Sequence, residues 1–90
     1  MKGVPLNFWE LSKPGLYMVL NDRTYVGDHW SIKEQKKVGE LNDGDIVRVT
    51  DVKHVREENR ARGKIEDGWI SMHELDINGH RWVEPMATFL

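Results

Sequence analysis

Four histidines, three serines and fifteen carboxylates are the side chains of this chain that could do acid–base or nucleophilic chemistry. His29, His54, His73 and His80 make neither an H-x-x-x-H nor an H-E-x-x-H spacing, so no helical metal pair is expected. Ser12, Ser31 and Ser71 stand outside any G-x-S-x-G elbow. The glycines are scattered at turns, and no run of them could cradle a phosphate. The carboxylates lie at turns or among cations, the pattern of a solvated surface. With no cysteine there is neither a disulfide nor a thiolate metal site, which fits a reducing compartment. No catalytic residue, metal or cofactor is expected.

The residue types that remain suit binding. Four tryptophans and two tyrosines in ninety residues are a large aromatic endowment, and Trp leads among interface hot spots. Tyr25, His29 and Trp30 fall in one polar stretch, Asn21 to Lys37, where Trp30 has only polar neighbours and is expected to be exposed. A loop of that length is usually functional. Trp69 or Arg81 is expected to form the opposing wall of a groove, giving a protein-binding surface of Tyr25, His29, Trp30, Trp69 and Arg81. Phe8 and Trp9, between Pro5 and Pro14, offer an alternative. They either pack across the domain or form a patch for a partner.

Nucleic acid is the competing ligand. Lys53, His54, Arg56, Arg60, Arg62 and Lys64 lie on two successive strand patterns and could share one basic face. Glu57, Glu58, Glu66 and Asp67 interrupt it, which favours a salt-bridged surface. The net charge of −2 gives no global attraction to polyanions. No stretch approaches a membrane span, and the opening MKGVPLNFWELSKPG does not read as a secretory leader. A soluble, intracellular, cytoplasmic protein is expected.

These residues have to be positioned by short strands. Leu16 to Leu20 is an apolar run of strand length. Val38 to Leu41 enters the Asp43-Gly44 turn, and Asp45 to Val55 follows with a slipped alternation, as a bent strand requires. Arg60 to Glu66 alternates strictly, with Arg60, Arg62, Lys64 and Glu66 expected outward and Ala61, Gly63 and Ile65 inward. The Asp67-Gly68 turn leads to the strand pattern Trp69 to Met72. One helical turn is expected at His73 to Leu75, a hairpin turn at Asp76 to Gly79, and a last strand at His80 to Val83. The expected core is Val19, Leu41, Val47, Val49, Ile65 and Ile70.

The order of GELNDGDIVRVTDV, RARGKI and EDGWISM resembles a Src-homology-3-like barrel of the bacterial and protist type. In that family G-x-L-x-x-G-D-x-V-x-V precedes a G-W-I-S segment. The likeness covers Gly15 to Leu75, and the tail INGHRWVEP is similar to the end of protist versions. It implies an all-β, five-stranded barrel of two packed sheets, here with an arm at 1–14, the barrel and a C-terminal hairpin at 15–85, and a tail at 86–90. A binding role follows from the resemblance. The acidic, aromatic loop and the Pro-Tyr pair of the polyproline-binding branch are missing.

Overall fold

Alternating Val, Ile and Tyr residues between Gly- and Asp-rich turns build short strands. The computed structural model describes residues 12–86. In order these form β1 (Gly15–Val19), β2 (Thr24–Gly27), β3 (Lys37–Leu41), β4 (Ile46–Val49), β5 (Asp51–Val55), a 3₁₀ turn (Arg56–Glu58), β6 (Arg60–Ile65), β7 (Gly68–Glu74) and β8 (Val83–Pro85). Every pairing is antiparallel. Residues 1–11 of the arm, with Phe8 and Trp9, lie outside the described residues.

The strands make two sheets. One has the order β4-β1-β8, the other β3-β2-β7-β6-β5. Their facing sides enclose one core of Tyr17, Val19, Val49 and Val83 from the smaller sheet and Val26, Ala61, Ile65, Ile70 and Met72 from the larger. Val19, Val49, Ile65 and Ile70 are buried as the sequence suggested, and Leu41 and Val47 pack at the core's margin. Tyr17 closes one end, where its hydroxyl donates to the Lys13 carbonyl at 2.6 Å.

The expectation of five strands in a barrel needs correction: among the described residues eight strands form two sheets, and no closed barrel is seen. β4 and β5 are one chain path that leaves the smaller sheet and enters the larger at Thr50, whose N–H donates to the Lys64 carbonyl at 2.9 Å. The bend resets the alternation. Val52 therefore packs against the core beside Val49, although an unbent strand would turn it outward. Gly44 holds a positive φ of 93° in the link between β3 and β4, and its N–H reaches the Val19 carbonyl at 2.8 Å.

Two further expectations fail locally. His73 and Glu74 continue β7 instead of forming a helical turn, because Ala61 and Arg60 of β6 pair with them. The last strand is Val83–Pro85, while Arg81 makes only an isolated bridge to His73. Within the long polar stretch, Thr24–Gly27 is a strand paired with β3, with a register shift between Val26 and Gly27. No helix of the described residues is long and apolar enough to cross a membrane.

Candidate functional site

The outer face of the larger sheet, away from the core, is covered by a second layer. Residues 28–36 leave β2 and fold back over it before β3. Asp28 closes this loop on itself: its N–H donates to the Lys36 carbonyl at 3.0 Å, and its carboxylate accepts from the Lys36 N–H at 2.7 Å. Two side chains of the sheet region then pin the loop down.

Arg62 is the first. Alternation does place it on the outer face, but the expected solvent exposure is wrong: it is 1% exposed. Its Nε donates to the Trp30 carbonyl at 2.9 Å and its Nη1 to Ser71 Oγ at 2.9 Å. Nη2 donates to the His29 carbonyl at 3.2 Å and to Gln35 Oε1 at 2.6 Å. One guanidinium thus uses its rigid fork to hold three loop residues on β6 and β7. Burial, and then the charge of Arg60, lower its pKa to about 10, against smaller opposing effects of Glu58 and Tyr25. It stays protonated at neutral pH. Gly27 makes room for this clamp, since a Cβ there would overlap the Gln35 amide.

Glu58, on the 3₁₀ turn, is the second pin. Its carboxylate accepts from the Ser31 hydroxyl, from the Ile32 N–H at 2.8 Å and from the Lys33 N–H at 3.5 Å. Desolvation raises its pKa, but the bonds from Ser31, Ile32 and Lys33 outweigh it and leave the carboxyl below its ordinary value.

Between the pinned loop and the sheet lies a cleft of about 360 Å³, lined by Thr24, Tyr25, Ile32, Gln35, Arg60, Arg62, Ser71 and Trp82. Such a volume is of ligand-binding size. Arg60 stacks on the Trp82 ring at 4.4 Å and donates from Nη1 to Ser71 Oγ at 2.8 Å. Two cations and no carboxylate line the cleft, and no histidine does. Ser71 therefore has no base within the lining, and its oxygen already accepts from two guanidinium groups. Among the described residues no group of three or more His, Asp or Glu could hold a metal.

The chain matches no family model, no curated protein and no solved structure.

Of the sequence-derived surface, only Tyr25 lines the cleft, at 40% exposure. His29 and Trp30 do not line it; their backbone carbonyls hold the loop on Arg62. The Trp30 ring is half-buried and not exposed as expected, because Lys53 Nζ sits 4.6 Å above it and the His29 ring 4.9 Å away. Trp69 is half-buried on β7 and Arg81 is exposed at its bridge to His73; neither lines the cleft. The basic stretch is similarly divided. Arg62 is buried, Lys64 Nζ donates to the Ile65 carbonyl at 3.1 Å, Lys53 covers Trp30, and Arg60 covers Trp82. Arg56 and His54 remain exposed. No continuous basic face results from these placements.

Trp82, Ser71, Ile32, Gln35 and Thr24 were not among the sequence-derived contact residues. Nothing in their spacing joins them, because they come from four separate stretches of chain. The available signal was the pairing of one arginine-rich strand with a strand bearing a lone serine: RARGKI against GWISM puts Arg62 opposite Ser71.

Proposed function

We propose that this chain is a non-enzymatic, Src-homology-3-like binding module that docks a protein partner in the cleft between its pinned loop and the larger sheet. The observation that carries this reading is the cleft's composition. Tyr25 and Trp82 supply aromatic walls and Arg60 a cation, the three residue types that dominate interface hot spots. The likeness to Src-homology-3 domains is supported by two antiparallel sheets that share one bent strand path at Thr50. A module of this kind works as a small adaptor or as a subunit of a larger assembly. Its cysteine-free composition suits the reducing interior of a cell. Nucleic-acid binding is the less favoured reading, since Arg62, central to the basic stretch, is spent inside the protein.

Affinity capture from extracts of the native cell, with the wild-type chain and the Tyr25→Ala and Trp30→Ala variants as baits, tests this docking site. A protein recovered by the wild type and by Trp30→Ala, but lost with Tyr25→Ala, is the expected result. Recovery of the same protein by all three baits would refute the location.

A further inference from the structure

Resting on the reading of the cleft as a docking site, the geometry points to a more specific ligand: we propose that the cleft binds one carboxylate group of the protein partner, presented between apolar side chains, with Arg60 and Ser71 as the groups that hold it.

The cleft has unspent donors. Ser71 Oγ accepts from Arg60 Nη1 at 2.8 Å and from Arg62 Nη1 at 2.9 Å. A hydroxyl has two lone pairs and one proton. Both lone pairs are used, so the proton must donate elsewhere, and no acceptor for it is found among the described residues. Arg60 presents the same imbalance. Its Nε is shielded from water and has no hydrogen-bond partner among the described residues. A shielded N–H without an acceptor costs stability until one arrives. Both residues line the same cleft. An ionised carboxylate is the protein group that only accepts, and it suits the Arg60 N–H groups that Ser71 does not use.

The charge balance agrees. Arg62 gives four of its five N–H groups to loop carbonyls, Gln35 and Ser71, so Arg60 is the cation better placed to serve a ligand. One partly used guanidinium suits one carboxylate. Phosphate, and polyanions generally, gather several cations, and the net charge of −2 opposes them. Trp82 stacks on the Arg60 guanidinium and so fixes the plane of its donors. Tyr25, Ile32 and Trp82 surround the position with apolar surface, which suits a carboxylate flanked by apolar residues and keeps water from the ion pair.

The test is a titration of the wild-type chain followed by NMR of the Arg60 Nε–H and the Tyr25 and Trp82 rings. The probes are acetyl-Phe-Glu-Phe-amide, its Gln counterpart, acetyl-Phe-Phe with a free carboxyl end, and inorganic phosphate. At least one carboxylate peptide is expected to shift the Arg60 Nε–H and to bind at least about tenfold tighter than the Gln peptide. The tighter of the two carboxylate peptides identifies the source as a side chain or a chain end. Arg60→Gln is expected to erase the preference for Glu over Gln, and the wild-type titration decides the matter if that variant does not fold. Equal binding of the Glu and Gln peptides, with the free-end peptide no tighter and with Tyr25 and Trp82 signals moving but Arg60 still, would overturn the carboxylate and leave the docking site standing. No movement of any of the three residues would overturn both. Phosphate acting at lower concentration than either carboxylate peptide would assign the cleft to a different anion.

Discussion

Arg62→Met separates the loop clamp from the rest of the structure. The variant keeps an unbranched apolar stem and removes five N–H donors. Four bonds disappear, to the His29 and Trp30 carbonyls, Gln35 Oε1 and Ser71 Oγ. Hydrogen bonds to a charged group contribute about 1.5–3 kcal/mol each, so the gross loss is about 6–12 kcal/mol. Against it stands the desolvation of a buried cation, which costs several kcal/mol and vanishes with the arginine. The released loop carbonyls can also turn to water. A net destabilisation of about 3 kcal/mol remains. In a domain of this size that lowers the thermal midpoint by roughly 12–24 °C. Loop amides at Ser31 and Ile32 should lose hydrogen-exchange protection before the core does. Arg62→Lys should recover less than half of the loss, because an ammonium cannot span a forked set of acceptors. Buried charges replaced by apolar groups often cost nothing. A Met variant that melts within about 3 °C of the wild type, with an unchanged exchange pattern, would show that the clamp is dispensable.

Val49 is 1% exposed between the sheets, so Val49→Asp buries an unpaired charge and should abolish cooperative unfolding by circular dichroism. Trp30→Ala removes a ring that covers Lys53 but leaves its clamping carbonyl in place; we expect the thermal midpoint to fall by less than that of Arg62→Met. The Glu58 carboxyl lies below its usual value, so its contribution is complete above pH of about 4.5 and is lost as pH falls through its lower folded value. Protection of the Ile32 amide, measured against its intrinsic exchange rate at each pH, should therefore fall with acid in the wild type, and be low already at neutral pH in Glu58→Gln. Burial lowers the His73 pKa, so its neutral form favours folding above pH of about 6.5. Stability should decline as pH falls below that value, and His73→Gln should flatten the decline in denaturant titrations.

Strand positions and their faces were legible in the sequence, because period-2 alternation is a local property of the backbone. The slip between Val47, Val49 and Val52 announced the bend now seen at Thr50. Arg62 shows the limit of that signal. Alternation assigned it to the outer side of β6, and that is where it lies, but alternation is silent on whether another segment covers that side. Residues 28–36 do cover it, and two of the three loop acceptors that hold them there are backbone carbonyls, which have no sequence signature. Trp30 was misjudged for the same reason, since Lys53, more than twenty positions away, shields its ring. Polar residues at His73 and Glu74 suggested a helical turn; pairing with β6 overrode that local preference. The cleft was the least legible feature, because Tyr25, Arg60, Ser71 and Trp82 meet only after the larger sheet has formed.

The three-stranded sheet draws on the beginning, the middle and the end of the described chain. β1 lies at its centre, with β4 on one side and β8 on the other. During synthesis β1 emerges first, and its second neighbour emerges last. Until Val83–Pro85 is available, Tyr17 to Val19 present an open edge with apolar side chains behind it, the arrangement most prone to pairing with another chain. Closing that edge requires a loop of more than sixty residues to be fixed at once, so contact order is high and folding is slow for a protein of this length. Nascent chains stalled before residue 83 should accordingly be aggregation-prone and dependent on chaperones, whereas loss of the exposed Asp76–Gly79 turn's own side chains should matter little to the rate.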